Sequence, residues 1–259
     1  MGSCCKNIFG SLICIALVGG GLALAFFYGP WFKKDDSSGG VESPTTLIAK
    51  SSSCPNCCNG LPSNCDLPIT QVLWPFVHNA MSSDEDSFYA ANNNLSLEKA
   101  LVEGYRGLMI DSCICDGETI VDVIEGYVTG EENDKGSNNQ QTYLGFCHAS
   151  CAAGVRTPST VFSNIKTFLN TNPNEVIIVE FEVGDGTLEM LHQAIDDSEL
   201  DEYILRDLGN NGTVTEWPTF QQLIDANRRL ILFAHGDGMA SCKETTCPEG
   251  IFYTYDHFR

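Results

Sequence analysis

Five short apolar runs in this chain each end on a side chain that can move a proton or hold a cation. The run over residues 71–77 ends in His78 and Asn79, "GLMID" in Asp111, "YLGFC" in His148, "VIIVEFE" in Glu182 and "LILFA" in His235. Imidazoles, a carboxamide and carboxylates are groups for acid–base work and for ligation of a metal. A lone histidine at a strand end is more often a hydrogen-bonded structural residue. A lone aspartate there is commonly the cap of the next helix. Caps have no reason to supply this whole set at one repeated position, and the repetition is what points to a site.

The elements that must position these residues alternate. Helical patterns fall at "SLEKALVEGY" behind the N-cap Ser96, at "PSTVFSNIKTFLNTNP" before its stop at Pro173, at "TLEMLHQAI" and at "WPTFQQLIDAN". A weaker run lies at 203–205, and the polar stretch 130–141 reads as a surface loop insertion. Near-continuous apolar strands separated by helices predict a parallel sheet covered on both faces. In a (β/α)8 barrel the strand ends converge on one mouth. In a doubly wound sheet they spread along an edge, and the Gly-rich phosphate loop common in such sheets is missing here. The expected fold is therefore an α/β, TIM-type (β/α)8 barrel.

Composition narrows the partners. A net charge of −20 and a pI near 4.4 make nucleic acid an unlikely ligand, and an anionic substrate would need a local positive site, most economically a metal ion. Residues 8–28 carry no charge over 21 positions, enough to span a bilayer core that needs ~20. They are read as an uncleaved transmembrane signal anchor, with a cleaved signal peptide as the weaker alternative. This gives a cytosolic tail over 1–7, the anchor over 8–28, a Ser/Gly/Pro-rich stalk over 29–53 and a folded domain over 54–259. Lys33 and Lys34 favour a cytosolic domain. Against them, ten of the thirteen cysteines lie downstream of the anchor, an even number that suggests disulfides, and two sequons begin at Asn94 and Asn211. An extracytoplasmic domain, lumenal or at the cell surface, is the expectation. Cys54 and Cys57 have zinc-knuckle spacing, but no second pair follows at finger spacing. Cys4 and Cys5 are candidates for palmitoylation.

The segments "PFVHNAMSS", "GYRGLMIDSC", "LGFCHASC" and "NEVIIVEFE" together resemble the X region of phosphatidylinositol-specific phospholipase C. They are closer still to the secreted or membrane-tethered X-domain-containing proteins of the phospholipase-C-like phosphodiesterase superfamily. The resemblance covers roughly residues 69–183, with a looser continuation through the strand ending at His235. It implies a metal-assisted, His-dependent phosphoric diester hydrolase acting on a phosphoinositide-like phospholipid or a glycolipid phosphodiester at a membrane. His78 and His148 match the family's catalytic histidines. Asn79, Asp111 and Glu182 fall where the calcium-dependent enzymes place metal ligands, and the metal-free bacterial enzymes carry arginine at the position of Asp111. Ca²⁺ is the implied cofactor. His235 and Arg106 are candidates for contact with the substrate, although Arg106 suits a supporting salt bridge better, and His192 and His257 are assigned to the surface or to structure.

Two departures temper the resemblance. Met109 stands where the calcium-dependent enzymes carry a further acidic ligand. From Cys54 the chain has 206 residues, against ~250 in a full barrel, so the barrel is expected to stop after about six strands. A catalytically inactive barrel serving as an extracellular binding module is the alternative function. Glycerophosphodiester hydrolysis on the same fold ranks lower, because its His-Arg-Gly opening and Glu-x-Asp pair are missing.

Overall fold

The computed structural model describes residues 4–8, 11–18, 21–27, 54–89, 91–117, 142–184, 186–206, 217–237, 239 and 250–253. The chain divides into two units, Met1–Pro44 and Thr45–Arg259. The stalk, the 130–141 insertion, the Asn211 sequon, Cys242, Cys247 and His257 lie outside the described residues.

The first unit corrects an expectation. Over the run read as a transmembrane helix the backbone forms strands: β1 (Cys4–Ile8), β2 (Ser11–Val18) and β3 (Gly21–Phe27), antiparallel in that order. Among the described residues no helix is long and apolar enough to cross a membrane. Glycine is the physical reason that the sequence offers. Gly10 and Gly19-Gly20-Gly21 interrupt the run, each costing a helix about 1 kcal/mol relative to alanine. Ile13, Ile15, Val18, Phe26 and Phe27 between them favour extended backbone.

In the second unit, β4 (Phe76–Val77), α1 (Leu97–Val102), β5 (Gly107–Cys115), β6 (Tyr143–Cys147) and β7 (Val155–Arg156) come first. Next are α2 (Pro158–Thr171), β8 (Ile177–Val183), α3 (Leu188–Asp196), α4 (Phe220–Asp225), β9 (Leu230–His235) and β10 (Ile251–Tyr253). The strands form one mixed sheet in the order β10-β9-β8-β5-β6-β7, with β4 also paired to β5. β4, β5, β8, β9 and β10 run parallel; β6 is antiparallel to both β5 and β7. The α/β class is as expected, whereas closure into a barrel is not part of the described sheet. Of the run at 71–77 only two residues are strand, because Trp74 turns away to stack on Phe220 of α4 with ring centroids 5.4 Å apart. The run at 203–205 contributes a single bridge, Ile204 to Leu230.

Strand alternation sorts the sheet into two faces. Leu108 and Ile110 of β5, Val179 and Phe181 of β8, and Leu232 of β9 pack with Leu101 of α1, Ile165 and Phe168 of α2 and Leu191 of α3. Full burial of a side chain such as Phe181 contributes roughly 1.5–3 kcal/mol. The opposite face begins with Ile178, Ile231 and Phe233, packed with Phe220 and Leu223 of α4. Further along, the same alternation puts Met109, Asp111, Glu180, Glu182 and His235 on that second face. An apolar layer thus underlies a polar one, both set by period two.

Candidate active site

Parallel pairing sets the polar row. Asp111 stands opposite Glu182, and Glu182 stands opposite His235. One step back toward the strand starts, Met109 is opposite Glu180 and Glu180 opposite Phe233. The middle of β5 and the ends of β8 and β9 therefore deliver their side chains side by side; β5 does not stop at Asp111, as its apolar run suggested, but continues to Cys115, where it pairs with β6. The turn after β8 is held by Thr187, whose Oγ1 donates to the Gly184 carbonyl at 2.8 Å, and by Ser112, whose Oγ donates to the Glu182 carbonyl at 3.1 Å. Gly236, at φ 111°, lets the end of β9 approach β8: a Cβ there would come within 2.5 Å of the Val183 carbonyl oxygen.

Asn79 and His148 join this row from neighbouring elements. Asn79 is buried and takes a left-handed backbone (φ 48°), which asparagine tolerates better than most residues. In the orientation that satisfies its amide, Nδ2 donates to both Asp111 carboxylate oxygens at 3.0 and 3.1 Å, and Oδ1 accepts from His148 Nδ1 at 2.8 Å. His148 Nδ1 is also 3.3 Å from Asp111 Oδ2. The proton thus sits on Nδ1, leaving Nε2 as the ring nitrogen available to a ligand. Asn93, which sequence reasoning passed over, braces the Asn79 loop: its Nδ2 donates to the carbonyls of His78 and Asn79, both at 2.9 Å. His78 itself is exposed at the end of β4.

Electrostatics at this end are unresolved by pairing. Burial pushes the Asp111 carboxyl above its usual value and the neighbouring Glu182 charge adds to the rise, against the lowering effect of His148. His235 Nδ1 lies 3.2 Å from Glu180 Oε1, off the line of a good hydrogen bond, and this carboxylate holds the imidazole above its usual pKa despite partial burial. Glu180 is a second residue missed from the sequence. Its signal was its place two residues before Glu182, on the same face of the strand.

Arg106 is not brought to the site. It precedes β5 at the opposite end of the strand, with Nε donating to Glu175 Oε2 at 2.7 Å and Nη1 donating to the Leu101 and Tyr105 carbonyls. The substrate-contact expectation for Arg106 is corrected: buried pairing holds it in the scaffold. His192 is on α3, facing Asp196 at 3.5 Å, consistent with a surface role. Cys54 pairs with Cys57 and Cys58 with Cys65, so the zinc-knuckle spacing holds disulfides.

Asp111 and Glu182 fit a hard cation in chemistry, since two adjacent carboxylates repel without a counter-charge; the Asn79 carbonyl is turned to His148 and would join them only after its amide rotates. They do not form a closed cage. Among the described residues, the Cys, His and carboxylate ligand atoms gathered in threes within 4.8 Å are the Sγ atoms of Cys113, Cys147 and Cys151.

Comparison with known proteins follows the same direction. The PI-PLC X domain family model (PI-PLC X 1) matches residues 133–258, a span holding His148, Glu182 and His235. A relative in Arthroderma benhamiae, PI-PLC X domain-containing protein 1, is 26% identical over 186 residues, covering 68% of this chain and 50% of that protein. The chain therefore spans about half the length of this relative. Phosphatidylinositol-specific phospholipase C from Listeria monocytogenes superposes with a TM-score of 0.44 at 18% identity, over 69% of this chain and 55% of that one. A likeness that distant carries no argument about the site. The resemblance to phosphatidylinositol-specific phospholipase C X-domain proteins, read first from the residues, is borne out by the family match and this relative.

Proposed function

We propose that the chain is a phosphoric diester hydrolase that cleaves a phosphoinositide-like phospholipid, or a related glycolipid phosphodiester, at the strand ends of a (β/α)8-type barrel. The observation that carries this reading is the Asn79–Asp111–His148 triangle, set beside Glu182 and His235 on one face of the sheet. Asp111 and Asn79 hold the His148 proton on Nδ1. Nε2 then takes a proton from an attacking hydroxyl, for which the neighbouring headgroup hydroxyl is the natural candidate. His78, exposed at the end of β4, gives a proton to the leaving glyceride oxygen. The phosphorus–oxygen bond to the glyceride breaks as the new one forms. Asp111 and Glu182 would hold Ca²⁺, joined by Asn79 once its amide rotates to turn Oδ1 from His148 toward Asp111, and the ion supplies charge neutralisation of the phosphoryl oxygens when bound. Four disulfides among the described residues support an oxidising, extracytoplasmic compartment.

The test is turnover of phosphatidylinositol in mixed micelles by the full chain, with calcium and with chelator. Calcium-dependent turnover is expected, with a loss of roughly 10²–10⁴-fold in His78→Ala. A folded chain that leaves the lipid intact in both conditions overturns the reading and favours a binding module.

A further inference from the structure

Two disulfides leave β5 just beyond Asp111 and arrive on either side of His148. Cys113, two residues past Asp111, joins Cys147, the residue before His148. Cys115 joins Cys151, three residues after it. The strand that carries the carboxylate is thus bonded to both flanks of the histidine that the carboxylate contacts.

Loop entropy does not explain the pair. The bridges span 34 and 36 residues. Once one has closed that long loop, the other closes only the few residues between neighbouring cysteines and removes little further freedom from the unfolded chain. A second bridge in this place acts on local geometry. The Sγ atoms of Cys113, Cys147 and Cys151 lie within 4.8 Å of one another, so the bridges lie side by side. The packing around them leaves no slack: a Cβ on Gly145 would come 2.5 Å from Cys115 Sγ and 2.4 Å from Val155 Cγ2.

His148 needs such fixing because regular structure stops short of it. The β5–β6 ladder reaches Ser112 and Phe146, the β6–β7 ladder ends with Cys147 and Val155, and Ala149 takes a left-handed backbone at φ 63°. A non-glycine residue persists there only when its surroundings hold it.

We propose that the Cys113–Cys147 and Cys115–Cys151 bridges are positioning elements for His148, fixing its Nδ1 in the triangle with Asn79 and Asp111. The consequence for turnover rests on the phosphodiesterase reading; the consequence for the imidazole does not.

The experiment uses the full 259-residue chain, comparing wild type with C113A/C147A, C115A/C151A and, as a remote control, C54A/C57A. The first readout is the His148 Nδ1–H resonance in the ¹⁵N-labelled protein, assigned by its disappearance in His148→Ala. It should be sharp in wild type and in C54A/C57A, and lost to exchange with water in C113A/C147A, with a smaller effect in C115A/C151A. The second is phosphatidylinositol turnover, where C113A/C147A should lower kcat by roughly tenfold or more with KM little changed, as expected for a misplaced catalytic group. A resonance that persists unchanged in C113A/C147A overturns the proposal. So does failure of both double variants to fold, which would make the bridges scaffold. Wild type without turnover, but with the contrast in resonance intact, counts against the phosphodiesterase reading and leaves the positioning role standing.

Discussion

The start and the middle of β5 both carry charged groups and treat them in opposite ways. At its start, Arg106 and Glu175 are 5% and 6% exposed, and the guanidinium also lies 4.7 Å above the Phe168 ring. Beside it, Arg229 at the start of β9 gives Nη1 to the Leu169 and Asn172 carbonyls at the C-terminal end of α2, where helix carbonyls lack partners of their own. Midway along β5, Asp111 is only partly buried, faces a second carboxylate, and is met by an amide and an imidazole rather than by a guanidinium. Charges paired to completion inside the protein belong to scaffold. Charges held together, half-solvated and incompletely compensated are what a ligand can act upon.

The sharpest way to break this contrast is to treat the scaffold end as if it were the site. Arg106→Ala removes the guanidinium from a buried carboxylate and should cost about 3–5 kcal/mol of stability. Urea denaturation measures that loss, while turnover per folded molecule should stay within about twofold of wild type, since surviving catalytic groups are untouched. A variant that keeps its stability and loses turnover would put Arg106 back in contact with substrate.

Asp111→Asn asks the same question of the site, with a smaller effect of opposite sign. Burial raises the Asp111 pKa above 3.8, so the native state holds that proton more firmly than the unfolded chain does. Its favourable contribution is fully present below 3.8 and is lost as pH rises through the native pKa. At neutral pH the ionised carboxylate is therefore a liability that asparagine lacks. Asp111→Asn should raise Tm at pH 7, with the gain shrinking as the solution is acidified, and should abolish turnover. A lower Tm at neutral pH would show Asp111 to be ordinary scaffold.

That contrast was only partly legible in the sequence. The endings of β6, β8 and β9 could be read because apolar runs stop visibly at a polar residue, whereas β5 runs past Asp111 to Cys115. The salt bridge preferred for Arg106 is present, but its partner Glu175, 69 residues away, could not be named, because chain spacing says nothing of such a contact. Glu180 escaped because it interrupts a run instead of ending it, although its face is shared with Glu182. The antiparallel pairing of β6 was invisible for a related reason: period and composition fix which residues face inward, while strand direction is set by the connection. Three-residue β10 was too short to register. An uncharged run at the N-terminus was read by its length when its glycines carried the better signal.

The smallest expected effect probes the Glu180–His235 pair, which joins a carboxylate inside the apolar strand of β8 to the end of β9. Glu180 lifts the His235 pKa above 6.5, so the imidazolium contributes stability that is fully present below 6.5 and lost as pH rises through the native value. Wild type should therefore show a decline in Tm from about pH 5.5 to about 8.5, a range centred on histidine titration. Glu180→Gln removes the principal cause of the shift and should flatten that decline, with the two proteins converging at the alkaline limit. Equal slopes would mean that His235 is neutral at every pH tested. Its place between Glu182 and the end of the sheet would then be a matter of packing, and the half-compensated end of the molecule would shrink to Asp111, Glu182 and the groups that reach them from Asn79 and His148.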